Sequence, residues 1–490
     1  MSRLLDSVRV FASLFALFGA QPAWAAPHQS RGPVAEYAVR YEGGDGFHVD
    51  ARFHQPASKL TLYFFPSAKN PEGQAAFIKS LRAWDSRGRP EQLKYLGEAN
   101  WQGADGPIGR VQYTVLARHD EVNWAQAGPG KDEVATHFDN TYFFAGNAFF
   151  LADYSWPDAP IHVQFVLPPN WHVIAPWDGA GNSYTVPARR KLTYNLFAVS
   201  KDTPHVESAR PIKLTWLAER KLAPVEPRLR ELLIGLPAAY SEFWGSTPLD
   251  RLTVFAFTDP ETDGGAFIDS FALRLATPAE SIDKIAWPHW LGHELMHLWN
   301  GSGRIRLADD RSTWFIEGVT DYLTVKLMYR AGLIDDATLK QRLANFARRY
   351  ELGRKISPGV KFAAAGADKF KNWELIYGGG AMFGFLLDGE LSKTDPQAFQ
   401  RTMREVYRQA DEPYDQQRLM RVLDGTTNGS ASRILAWLDE GQTWSQLRER
   451  LRPVGVEFSG FGSDEAYVDF TPCGRGNCVP SFLQQQSVRE

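Results

Sequence analysis

The hydrophobic period of this 490-residue chain changes once, and that change constrains its fold more than any other feature. Up to about residue 200 the apolar positions alternate or gather in short β-branched runs. These are Glu36–Tyr41, Leu60–Phe65, Arg110–Ala117, Ile161–Leu167 and Leu192–Ser200. A period of two sends one face of a strand into a core, and the Pro, Gly, Asn and Asp clusters between the runs mark turns. The aromatic stretch Asn140–Leu151 is expected in the same core. Helical spacing then appears over Pro227–Gly245 and from Pro288 to near Asn300, and dominates from Ser312 onward, over Ser312–Ala331, Asp336–Tyr350, Trp373–Leu391, Gln397–Ala410, Gln416–Leu423 and Ala431–Glu440. Extended segments interrupt it at Arg251–Thr258 and Ala266–Ala276, and short strands return beyond Pro453. The expected fold class is a multidomain α+β protein. Its parts are an antiparallel β domain over 26–205, a mixed strand-helix domain over 206–330, a helical domain over 331–452 and a short β tail over 453–490.

The first 25 residues read as a secretory signal peptide. Arg3 and Arg9 precede the apolar run Val10–Ala20, and Ala23-Trp24-Ala25 supplies the small-x-small cleavage pattern. No later stretch reaches the length that spans a bilayer, so the expectation is an exported protein, periplasmic or extracellular, without a stable membrane span. In an oxidising compartment Cys473 and Cys478, in Thr-Pro-Cys-Gly-Arg-Gly-Asn-Cys-Val-Pro, are expected to close a small disulfide loop. Two thiolates alone would leave a tetrahedral metal site half filled. Lys plus Arg number 54 against 57 Asp plus Glu, for a net charge of −3, and no basic stripe is present. That balance argues against a nucleic-acid partner.

The chemistry is concentrated on one predicted helix. His293-Glu294-Leu295-Met296-His297 places two imidazoles four residues apart, on one face, where both can reach a single metal ion. Glu294 then projects beside the metal, positioned to take a proton from water. Downstream, Trp314-Phe315-Ile316-Glu317-Gly318-Val319-Thr320-Asp321-Tyr322 opens another helix. Glu317 there completes a two-His, one-Glu zinc site with the fourth position left for water. Asp321, one turn further along the same face, is placed to fix a ligand histidine's tautomer from outside the ligand set. His289 also stands four residues before His293, but in the first helical turn beside Pro288 it is expected at the surface or lining the substrate path.

These two motifs together resemble those of the gluzincin metallopeptidases. The run His293-Glu294-Leu295-Met296-His297-Leu298-Trp299-Asn300 is more similar to the glycyl aminopeptidase family than to the alanyl/leucyl one. The resemblance extends over about Leu252–Leu391. It implies a thermolysin-like catalytic domain between the β domain and the helical domain, and one zinc ion on His293, His297 and Glu317, with Glu294 as general base. It further implies that Tyr377, in Ile376-Tyr377-Gly378-Gly379-Gly380, stabilises the oxyanion. The substrate implied is a peptide, and the activity that of an aminopeptidase on short peptides. The chain departs from the family in its Gly264-Gly265-Ala266-Phe267-Ile268-Asp269-Ser270 element, which lacks the Glu that grips a free substrate amine. Gly264, Gly265 and Asp269 are the candidate substrate-binding residues there, with Ala266–Leu273 as an edge strand against an extended peptide. An endopeptidase or oligopeptidase with the same zinc site, and an inactive peptide-binding scaffold, therefore stand as alternatives. Too few residues follow Gly441 for the complete PDZ-like domain that members of the family often carry.

Overall fold

A computed structural model describes residues 32–66, 70–117, 133–209, 211–260, 262–276, 286–301, 303–460, 466–473 and 476–484. The expected signal peptide lies outside them. The described residues form two compact units. The first takes in residues up to Glu207, Leu214–Pro224 and those of Arg251–Glu280; the second takes in Ser208–Lys213, Val225–Asp250 and those from Ser281 onward.

The first unit is built of stacked sheets. Its largest has eight strands, in the order Asp178–Ala180, Ser183–Val186, Ile161–Val166, Ala35–Tyr41, Gly46–Ala57, Ile108–Leu116, Ile78–Asp85 and Pro90–Glu91. All neighbours run antiparallel except Ala35–Tyr41 beside Ile161–Val166. Along Ala35–Tyr41 burial alternates, so Tyr37, Val39 and Tyr41 enter the core while Arg40 stays in water. Behind this sheet lies a smaller one in which Thr141–Ala145 and Leu196–Ser200 are buried at every residue. Such strands read as unbroken apolar runs because both faces are covered. One face, carrying Tyr142, Phe144, Phe197 and Val199, joins the main core. The other, carrying Phe143, Ala145, Leu196 and Ala198, packs on Phe255, Phe257 and Ala272.

That second contact alters the expected division of the chain. Arg251–Thr258 and Ser270–Leu275, placed above in the 206–330 domain, pack with the N-terminal unit because Phe255 and Phe257 of the first and Ala272 of the second fill the face left open by the smaller sheet. They pair in parallel, and Asp263–Ala266 pairs antiparallel with the second of them at the edge of its sheet. The edge strand is thus Asp263–Ala266 rather than Ala266–Leu273, since a turn at Phe267 returns the chain inside it. The run Leu192–Ser200 also divides. Helix α1 (Arg189–Thr193) ends where Asn195 Nδ2 donates to Lys191 O at 3.0 Å, and the strand starts only at Leu196.

The second unit is helical: α2 (Glu226–Trp244), α3 (Ala286–Met296), α4 (Thr320–Arg330), α5 (Asp336–Ile356), α6 (Trp373–Ser392) and the shorter α7 (Ala398–Arg408), α8 (Gln416–Thr427), α9 (Ser430–Asp439) and α10 (Trp444–Leu451). The predicted helix over Ser312–Ala331 is divided, with a π-helical turn at Phe315–Val319 before α4. Beyond α10, Val456–Gly460 pairs with Ala466–Phe470, and a last hairpin at Pro472–Cys473 and Gly476–Asn477 precedes Cys478, which is disulfide-bonded. Among the described residues no helix is long and apolar enough to cross a membrane.

Helix α6 is the centre of this unit, buried without interruption from Leu375 to Gly389. Its glycines set how closely its neighbours approach. A Cβ on Gly380 would lie 2.1 Å from the Trp314 carbonyl oxygen, and one on Gly318 would lie 2.5 Å from the Gly380 Cα. Backbone therefore meets backbone where α6 crosses the π-helical turn, which brings Tyr377 and Glu317 together. Gly380→Ala is expected to destabilise the protein by about 1–3 kcal/mol, the usual cost of overpacking a filled site. A lower urea midpoint with an unchanged slope would check it.

Candidate active site

Helix α3 presents His289 and His293 along one side, and His297 follows directly after its last residue, all three buried. The second unit holds it from behind: Tyr240 OH of α2 donates to the Gly292 carbonyl at 2.9 Å, and Trp244 Nε1 meets the Met296 sulfur at 3.3 Å. Immediately after α3 the chain tightens, with His297 N bonding to Glu294 O at 3.2 Å. The π-helical turn then delivers Glu317, and the first turn of α4 delivers Asp321. Extra-wide turns of this kind recur at functional sites because they rotate one side chain off the regular helical face.

The donor atoms converge. Glu317 Oε2 lies 3.3 Å from His293 Nε2 and 3.7 Å from His297 Nε2, and one donor atom from each of the three residues fits within a 4.8 Å cluster. Tetrahedral zinc with bonds near 2.0–2.2 Å separates its ligand atoms by roughly 3.3–3.5 Å, so the set fits that ion. The opposite ring nitrogens are already committed. His293 Nδ1 bonds to Asp321 Oδ1 at 2.8 Å, and His297 Nδ1 bonds to the Asn300 carbonyl at 3.0 Å. Each Nδ1 thus carries its proton toward an acceptor, which leaves Nε2 of each ring as the nitrogen turned to Glu317, the one a cation would take. Asn300 in turn donates Nδ2 to Phe315 O and Thr320 Oγ1, tying the end of the histidine segment to the glutamate turn.

The structure places the other candidates as follows. Asp321 accepts from His293, from His289 Nε2 at 2.8 Å and from Arg349 at 3.0 Å. His289 is therefore buried against Asp321, not at the surface or on a substrate path, because the buried carboxylate needs its proton. Tyr377 OH donates to Glu317 Oε2 at 2.6 Å, with its ring stacked between His293 and Trp373 at centroid distances of 5.7 and 4.5 Å. Glu294 is half-buried on α3, next to both ligand histidines in sequence. Lys369 and Arg349 escaped the sequence reading. Lys369 Nζ bonds to Glu317 Oε1 at 2.6 Å, and Arg349 joins Asp321 to Glu374. Neither stands in a motif, and only the folded chain brings them to the site.

Within the first unit, Gly264 and Gly265 lie in the edge strand, opposite Leu273 and Ala272. Asp269 corrects an expectation: its carboxylate is held by Lys191 Nζ at 2.6 Å and by Asn195 Nδ2 at 3.2 Å, and only 6% of the residue is exposed. It is an internal ion-pair partner rather than an open substrate ligand. In the second unit, Arg304 is turned to Asp411 and the Tyr407 carbonyl and so braces its loop.

Burial shapes the ionisation of the cluster. It pushes His297 down to about 4, reinforced by the nearby His293, so His297 is neutral. At His293 burial acts in the same direction but is outweighed by the charges of Asp321, Glu317 and Glu294, which raise it to about 10. Burial resists ionisation of Glu317 too, yet Lys369 and the two imidazoles hold its carboxyl well below the ordinary range. The phenol of Tyr377, buried beside Glu317, is pushed up and remains a donor.

Residues 288–379 match the family model of the M61 glycyl aminopeptidases. No curated protein matches the chain in sequence. Among solved structures the chain is similar to an aminopeptidase N family protein from Idiomarina loihiensis, with a TM-score of 0.68 at 18% identity, over 87% of this chain and 79% of the other. It is also similar to an M1 zinc metallopeptidase from Deinococcus radiodurans, with a TM-score of 0.50 at 15% identity, over 84% and 93% of the two chains. A variant of that protein solved with a Tyr-Ser-Ala substrate gives a TM-score of 0.50 at 16% identity, again over 84% and 93%.

The ionisation state of His293 is open to measurement. With Asp321 on Nδ1 and Glu317 on Nε2, a cation taking Nε2 must displace the proton that faces Glu317. Zinc affinity is therefore expected to rise about ten-fold per pH unit between about pH 7 and 9, with about one proton released. Calorimetric titration in buffers of different ionisation enthalpy checks both. The matched segment encloses the whole cluster, so it is there that the chain resembles the gluzincin zinc metallopeptidases of the aminopeptidase type.

Proposed function

We propose that the protein is an exported, zinc-dependent aminopeptidase that hydrolyses short peptides. The observation that carries this reading is the convergence of His293 Nε2, His297 Nε2 and Glu317 Oε2 beside Glu294. Zinc, when held there, supplies Lewis-acid polarisation of the scissile carbonyl and lowers the pKa of its water. Glu294 accepts the proton of the attacking water and passes it to the leaving amine, a single carboxylate serving as base and then acid. Tyr377 keeps its proton and donates toward the oxygen on which negative charge develops, a contact that strengthens on the way to the transition state. Asp321 holds His293 in the required tautomer. The tripeptide found with the Deinococcus variant supports a substrate of that size. Export rests on the N-terminal sequence pattern.

A second reading, endopeptidase or oligopeptidase, draws on one observation. Among the described residues, the two acids that flank the Gly264-Gly265 element have cationic partners within the chain, Asp269 with Lys191 and Asp263 with Arg274. Comparing one peptide with a free and an acetylated amino terminus separates the two. An aminopeptidase is expected to lose the acetylated substrate by at least about 10²-fold in kcat/KM, as a site built to bind a polar group does when that group is blocked. Equal rates would favour the second reading.

Glu294→Gln is expected to keep zinc and to lose about 10²–10⁴-fold in kcat, the range that removal of a general base produces. Full activity in the metal-bound variant would sink the assignment of Glu294 as the base, whereas a zinc-loaded parent that cleaves no peptide would leave the scaffold alternative. Glu317→Ala is expected instead to lose the metal on dialysis, read as zinc content by atomic spectroscopy.

A further inference from the structure

The two oxygens of Glu317 face different surroundings. Oε2 is turned to the imidazoles and receives the Tyr377 hydroxyl, whereas Oε1 is bonded to Lys369 Nζ at 2.6 Å. Lys369 comes from a separate part of the second unit, just after the 3₁₀ helix Phe362–Asp368. That segment is pinned at both ends: Ala363 N donates to Asp439 Oδ1 at 2.8 Å, and Asn372 Nδ2 donates to Ala365 O at 2.9 Å. The ammonium is held by three groups at once. Besides the carboxylate it lies 5.3 Å from the Trp373 ring and 5.9 Å from the Tyr377 ring, within cation–π range of both. About a fifth of the Lys369 side chain is exposed, against 3% for Glu317, so the lysine reaches in from the rim to a buried acid.

A carboxylate can bind a metal through one oxygen or through both. Which it does depends on what occupies the second oxygen, and outer partners of this kind orient the ligands they touch. We propose that Lys369 is a positioning residue of the metal centre, holding Glu317 Oε1 so that the glutamate binds through Oε2 alone. This rests on the zinc-site reading above and assigns a role to a residue that no motif marks. Two physical effects of the lysine oppose each other. As a clamp it orders the ligand and strengthens metal binding. As a nearby positive charge it weakens metal binding.

The sign of one measurement separates them. The purified full chain and its Lys369→Met and Lys369→Arg variants are loaded with cobalt(II), whose visible absorption reports coordination number, and zinc affinity is read by competition with a chromogenic chelator. Lys369→Met is expected to bind zinc about ten-fold more weakly, as when the outer partner of a ligand is removed. Its cobalt spectrum is expected to shift to the weaker bands of a five-coordinate site as Oε1 joins Oε2 on the metal. Lys369→Arg, which keeps a donor on Oε1, is expected to restore both. A Lys369→Met variant that binds zinc more tightly, or keeps the parent cobalt spectrum, overturns the proposal. An unchanged thermal midpoint in the cobalt-free Met variant separates loss of the clamp from loss of fold, and a coinciding fall in that midpoint that Lys369→Arg fails to reverse also overturns it. If the parent binds neither metal, the zinc-site reading itself fails, a result distinct from any difference among the variants.

Discussion

Two carboxylates, Glu317 and Asp321, are buried one helical turn apart, and the arrangement of the second unit follows from the need to neutralise them. Each is almost fully withdrawn from water, where an isolated charge is costly unless paired and hydrogen-bonded. The fold surrounds them with donors drawn from four places: the histidines of α3, Arg349 of α5, Lys369 beyond the 3₁₀ helix and Tyr377 of α6. The donors divide by function. Asp321 collects His289, His293 and Arg349, and so fixes the proton positions of the site. Glu317 collects Lys369 and Tyr377 and faces Nε2 of His293 and of His297, and so marks the point where a cation would be held.

Much of this was legible in the sequence because it is local. His293 and His297 stand at helical spacing, which puts them on one face whatever surrounds it, with Glu294 next along the chain from the first. Glu317 and Asp321 were legible for the same reason, as acids one turn apart in an apolar run. The contributions of Lys369, Arg349 and His289 were not. The lysine is 52 positions from the acid it touches, and no period or composition announces a contact at that range. Asn300 lies between these cases, since it ends a recognisable motif but its work, bridging to Phe315 and Thr320, depends on where the chain returns.

The fold divides along the same line. The strands Ala35–Tyr41 and Arg251–Thr258 and the helices α2 and α6 carry patterns that their residues reveal within one or two positions. The packing of Arg251–Thr258 and Ser270–Leu275 with the N-terminal unit was hidden, because the surface that receives them belongs to strands covered on both faces. An apolar run such as Leu196–Ser200 tells that it is buried but not by what. The π-helical turn was hidden for a different reason: it inserts one residue's worth of rotation into a continuous helical pattern, which leaves the apolar spacing on either side intact.

The backbone contact between Gly318 and Gly380 has a mechanical meaning. With no side chains between them, the turn that carries Glu317 and the helix that carries Tyr377 cannot slide past one another without a steric collision. Phenol and carboxylate are therefore mounted on one stiff frame. Any breathing of this unit that admits a substrate or releases a product must leave that frame intact, and its compliance must reside elsewhere. Heating that opens the glycine contact would release the Glu317 carboxylate and the Tyr377 phenol in a single event, so the cluster would lose them together.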